Sequence, residues 1–194
     1  MPQSIHAFAE KVALVINGSE GVGRAVALQL ALQGCYVIVS FSSKSEENKR
    51  ALEELKSLGT LAHSVEFSDA KNLIDEIDKL FGRLDLLINC LKSGEDSTFQ
   101  IETMTNESLR LMMARPKPSI VNVVMDENGI RATKKIAKEL PKNFRANCVV
   151  KSENEQVEVF ELFKVTKDDD TARVVTFFLS SESKALNGQV LYIS

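Results

Sequence analysis

A chain of 194 residues, 44% hydrophobic and 26% charged, has the length and balance of one globular domain with a substantial core. Its net charge of −3 speaks against a nucleic-acid or anionic-membrane partner, and no apolar run approaches the roughly 18 residues of a membrane span. Three scattered cysteines, Cys35, Cys90 and Cys148, lie far from His6 and His63, so neither a metal site nor a disulfide framework is indicated.

In chain order, the apolar run Val12–Ile16 predicts a buried strand, and 21–33 a helix closed by Gly34. Tyr36–Phe41 is the next strand. Ala51, Leu52, Leu55 and Leu58 recur at helical spacing within 46–58, which stops at Gly59. A third strand is expected over Leu61–Phe67, a helix over 70–81, and a fourth strand over Leu84–Asn89. A helix over 103–113 then runs into Arg115-Pro116-Lys117-Pro118, which cannot continue it. Ile120–Val124 is a strand and 130–140 a helix, whose lysines, interleaved with Glu139, form a solvated face. Arg145–Val150 is a strand. The segment 151–166 is polar with a short alternating piece, Val157–Phe160. A helix over 168–180 opens on acids that suit its dipole, and Val190–Ile193 is the last strand. Alternation of this kind predicts a doubly wound, three-layer α/β fold around a parallel sheet, one domain over 1–194. The N-terminus has no basic leader before a long apolar stretch, which leads us to expect a cytoplasmic protein.

The first strand passes directly into Asn17-Gly18-Ser19-Glu20-Gly21-Val22-Gly23-Arg24 and then a helix. Glycines there allow a tight turn and close approach of backbone to a pyrophosphate, with the helix N-terminus supplying free N–H groups. Asn17, Gly18, Ser19, Gly21, Val22 and Gly23 are therefore the candidate cofactor-binding residues. The bland alternative is a tight turn and nothing more.

With this loop, the runs Lys11–Ala25, Phe81–Asn89 and Asn187–Ile193 make the chain resemble the short-chain dehydrogenase/reductase family. Its look is nearest to the 3-oxoacyl-carrier-protein reductases. The resemblance implies a Rossmann-like fold and an NAD(P)-linked oxidoreductase. It also brings out departures. The family loop is Thr-Gly-x-x-x-Gly-x-Gly, and here Ile16 and Asn17 take the first two places. Asn tolerates positive φ better than other non-glycine residues, so the turn can survive. The family's Asn-Asn-Ala-Gly after the fourth strand becomes Asn89-Cys90-Leu91-Lys92, which retains Asn89 as a cofactor-side residue. Ser42, Ser43 and Lys44 follow the second strand without an acid and favour NADP over NAD. Glu20 argues against a 2′-phosphate.

The family's catalytic set is a Ser after the fifth strand, a Tyr-x-x-x-Lys pair in the next helix and an Asn from the helix before. In Ser119-Ile-Val-Asn-Val-Val-Met-Asp-Glu-Asn-Gly-Ile-Arg131, Val124 and Met125 stand where the Ser belongs. The fourth and fifth helices read as shortened, which removes the Tyr, Lys and Asn positions and weakens the family's main dimer contact. No catalytic residue is therefore assigned. Three readings stay open. One is a non-catalytic dinucleotide-binding or interaction module, as a homo-oligomer or paired with an active family member. Another is an NADP-linked reductase with relocated groups such as Lys92, Ser93 or Lys134. The third is a scaffold whose cleft Glu20 and Leu91 occlude. Cys90 reads as an inert buried thiol.

Overall fold

The structure is a computed structural model that describes residues 7–41, 45–66, 69–151 and 167–193. Seven parallel strands form one sheet: β1 (Val12–Ile16), β2 (Tyr36–Phe41), β3 (Ala62–Glu66), β4 (Leu86–Cys90), β5 (Ser119–Val124), β6 (Arg145–Lys151) and β7 (Val190–Ile193). Their order is β3-β2-β1-β4-β5-β6-β7. β1, β4 and β5 are buried at every position, as strands covered on both faces must be. Six helices supply the cover: α1 (Gly21–Leu32), α2 (Glu46–Ser57), α3 (Ala70–Phe81), α4 (Ser97–Met112), α5 (Glu127–Glu139) and α6 (Lys167–Leu179).

Alternate strand residues serve alternate faces. Val15, Val37, Val39 and Val121 meet α1, α2 and α6 through Val26, Leu30, Leu55 and Phe178. Leu14, Ile38, Leu87 and Ile120 meet α3, α4 and α5 through Leu73, Ile77, Met104 and Ile136. After β3 the chain crosses β1 to place β4 on its other side. The carboxyl ends of β1 and β4 thus border the switch-point crevice of an open α/β sheet.

Several boundaries differ from the sequence expectation. α4 begins at Ser97, not 103, because the Asp96 side chain accepts from the Phe99 N–H at 3.0 Å and caps the first turn. It has 16 residues and ends at Met112, ahead of the two prolines. α5 begins at Glu127, with Asp126 accepting from the Gly129 N–H at 2.7 Å. β4 starts at Leu86, and the side chain of Asp85 just before it is held in a knot of hydrogen bonds. Its carboxylate accepts from the Val12 N–H at 3.0 Å, from Arg83 at 2.7 Å and from Arg115 at 3.1 Å. Phe67, Ser42–Lys44 and the alternating piece Val157–Phe160 lie outside the described residues.

Candidate cofactor cleft

The loop from β1 to α1 is tied on both sides. Asn17 adopts a φ of 55°, the positive value expected of it. Its Nδ2 donates to the Cys90 carbonyl at 2.9 Å, which pins the loop to the end of β4. The N–H groups of Asn17 and Gly18 donate to the Ser40 hydroxyl and carbonyl at the end of β2. The three glycines answer to different constraints. A Cβ on Gly18 would lie 2.7 Å from Val39 Cγ1, and one on Gly23 only 2.2 Å from the Asn17 carbonyl oxygen. Both serve close helix–strand packing. Gly21 has a φ of 50° and faces open space, with only Asp168 Oδ2 near, at 3.8 Å from its Cβ position.

Glu20 is the N-cap of α1, but its side chain accepts no hydrogen bond from the N–H groups of the first turn. The first-turn N–H groups thus have no side-chain cap and present the positive end of the helix. Beside them lies a cleft of about 260 Å³. Asn17, Glu20, Gly21, Val22 and Gly23 line one side. Cys90, Leu91 and Lys92 of the β4 end, Val123 and Met125 of the β5 end, and Lys151 of the β6 end line the other. Lys92 is ion-paired with Glu20 across the mouth. Lys151 Nζ lies 2.8 Å from Asp168 Oδ1 at the start of α6.

Gly18 and Ser19 do not line the cleft: Gly18 faces Val39, and Ser19 is buried. Asn89 is also absent from the lining. It is fully buried, and its Nδ2 donates to Asn122 Oδ1 at 2.7 Å. Asn122 Nδ2 in turn donates to Thr133 Oγ1 at 2.9 Å, and Thr133 donates to the Gly129 carbonyl at 2.8 Å. This amide chain ties the end of β4 to β5 and α5. Ser42, Ser43 and Lys44 lie outside the described residues.

At the mouth of β5, Met125 is partly exposed over the cleft. The Asp126 carboxylate is engaged by the Gly129 N–H and by the Ser97 hydroxyl at 2.7 Å. Neither tyrosine is near. Tyr36 stacks on Phe81 with ring centroids 6.2 Å apart, and Tyr192 is exposed on the edge strand β7. Of the relocated candidates, Lys92 lines the cleft, whereas Ser93 sits in an exposed turn and Lys134 on the outer face of α5. The Cys90 thiol is pushed up to about 12, by burial first and then by the Asp168 carboxylate. Burial raises Cys148 to about 11. In both, burial works against the thiolate, the form in which a cysteine is reactive. Among the described residues no cluster of three metal-binding side chains occurs. A larger hollow of about 650 Å³ opens between α2 and α3 at the β3 edge, away from the glycine loop.

Sequence reasoning passed over Lys151, Asp168 and Val123. A usable signal was present. In an open α/β sheet ligands bind beyond the carboxyl ends of the strands, and Lys151 ends β6.

A family model described as short chain dehydrogenase matches residues 11–124. A 3-oxoacyl-[acyl-carrier-protein] reductase of Staphylococcus epidermidis is 24% identical over 237 residues, covering 95% of this chain and 97% of that protein. That alignment is longer than the 194-residue chain itself, so the reductase carries stretches with no counterpart here. A tropinone reductase-like protein of Erythroxylum coca is 30% identical over 119 residues, covering 59% of this chain and 46% of that one. Among solved structures, a hydroxysteroid dehydrogenase from Escherichia coli has a TM-score of 0.84 at 17% identity, with 98% of each chain covered. A short chain dehydrogenase from Burkholderia cenocepacia in complex with NADP has a TM-score of 0.80 at 20% identity, covering 99% of this chain and 98% of that one. These neighbours share the fold.

Proposed function

The chain belongs to the short-chain dehydrogenase family, and we propose that it binds a nicotinamide dinucleotide, NADP(H) in preference to NAD(H), without transferring hydride. The residues fit the cofactor's pyrophosphate. Gly21 leaves room against the backbone, Asn17 and Gly18 fix the turn, and the start of α1 has no side-chain cap. The NADP bound to the Burkholderia relative supports the choice of cofactor. When bound, the nicotinamide would supply hydride exchange; turnover also needs a side chain placed to give or take the substrate proton.

One observation carries the non-catalytic half of the reading. β5 ends at Val124 and α5 begins at Glu127. The two residues between are Met125, which cannot transfer a proton, and Asp126, whose carboxylate caps the helix. Among the described residues, the remaining titratable groups lining the cleft are Cys90, Glu20, Lys92 and Lys151. The thiol is held neutral, and the other three are ion-paired. A protein of this kind acts through what it binds, and an active family member or a second copy is the partner class we propose. Three unpaired cysteines fit a cytoplasmic setting, and no helix among the described residues is long and apolar enough to cross a membrane.

Thermal unfolding of the pure protein with NADP(H) and then NAD(H) tests the binding. Saturation at about 100 times the dissociation constant adds roughly 2.7 kcal/mol and raises the midpoint by about 5–10 °C. No shift with any dinucleotide would leave a scaffold. Absorbance of NADPH over a panel of carbonyl substrates is expected to stay flat. Sustained oxidation would establish the second reading, a reductase with Lys92 as proton source. That reading is favoured by the position of Lys92 on the cleft wall, and Lys92→Met would then abolish turnover.

A further inference from the structure

The two acids beside the glycine loop occupy unusual places. Glu20 holds the N-cap position of α1, where a side chain normally turns back onto the first-turn N–H groups. It does not; its carboxylate goes to Lys92 on the opposite wall. Asp168 approaches from the start of α6. One oxygen takes Lys151 at 2.8 Å, and the other faces the single open spot of the loop, 3.8 Å from the Cβ position of Gly21. Two carboxylates therefore stand around the positive end of α1, each holding a lysine that lines the cleft. The cleft is smaller than the roughly 300–1,000 Å³ of ordinary ligand pockets, at about 260 Å³.

We propose that Glu20–Lys92 and Asp168–Lys151 are two latches across the pyrophosphate groove, and that an incoming diphosphate opens them by taking both lysines from their carboxylates. The inference rests on the dinucleotide reading above and adds to it two ligand-binding residues, Lys92 and Lys151, and two residues that oppose binding. The exchange conserves the number of charge-assisted contacts: each ammonium gives up a carboxylate oxygen for a phosphate oxygen. Lysine suits the switch, being a point charge on a four-carbon stem that can swing between partners. The pairs are not deeply buried. Side-chain exposures are 45% and 48% for Lys92 and Glu20, and 20% and 29% for Lys151 and Asp168. Exposed pairs of this kind are weak, so the latches yield to a doubly charged ligand. The better-shielded Lys151–Asp168 pair is the stronger of the two.

Calorimetric titration of NADP⁺ into the native protein and into Glu20→Gln, Asp168→Asn, Lys92→Met and Lys151→Met tests the proposal, with unliganded unfolding midpoints as the check on folding. Asp168→Asn is expected to tighten binding by about tenfold and Glu20→Gln by a smaller factor, while each lysine substitution weakens it by about tenfold. Binding by Asp168→Asn where the native protein shows none also supports the latch. A native protein that binds NADP⁺ with an affinity unchanged in Asp168→Asn and Lys151→Met overturns the latch alone. If none of the five proteins binds, the dinucleotide reading falls and the latch falls with it.

Discussion

Gly21 and Gly23 stand two residues apart and meet opposite surroundings. A methyl group on Gly23 would press into the Asn17 carbonyl at 2.2 Å, a backbone atom that cannot rotate aside. A methyl group on Gly21 meets no atom within 3.4 Å and pays only for its φ of 50°. Gly23→Ala is therefore expected to cost about 3 kcal/mol and Gly21→Ala about 1 kcal/mol in urea unfolding. Equal losses would mean that the loop relaxes around Gly23. For ligand binding the order should reverse in meaning. Gly21 is the position that a phosphate approaches, so its methyl group would weaken binding in a protein that still folds well.

The elements divide by how their signals are written. β1, β2, β4 and β5 were legible because both faces are buried and the strands read as mainly apolar runs. The glycine loop was legible because its spacing answers to local packing. The start of α4 was not, since Ser97, Thr98 and Gln100 are polar, Phe99 is exposed, and only the Asp96 cap marks the turn as helix. Nor was the buried amide chain, because Asn89, Asn122 and Thr133 are far apart in sequence and meet only once β4, β5 and α5 are assembled. Lys92 and Lys151 likewise acquire their meaning from acids 72 and 17 residues away. The amide chain gives a test at this scale. Asn122→Ala leaves the fully buried Asn89 amide without its partner and removes a donor to Thr133. The expected loss is about 3 kcal/mol in denaturant unfolding. A loss under about 1 kcal/mol would show that water replaces the amide.

Across the whole molecule, one sheet carries both helical layers, and the proposal of a single cooperative domain can be read at its two ends. Tyr36 sits on β2 beside one edge strand, and Tyr192 on β7 at the other. The chain has no tryptophan, so tyrosine emission of Tyr36→Phe and Tyr192→Phe reports each end separately. The expected outcome is one urea midpoint, shared by both variants and by far-ultraviolet circular dichroism once each variant's own stability is allowed for. Two separated transitions would divide the sheet into independent units. The tight turn from β5 to α5 has a consequence for the engineering of this chain. Gly129 abuts Val124, where a Cβ would come within 2.6 Å of the valine, so α5 is clamped to the strand from its first turn. Point substitution can change the side chains at Met125 and Asp126 but cannot create the backbone on which a longer helix would overhang the cleft. Such a backbone is reached by an insertion between Val124 and Gly129, not by single-base changes.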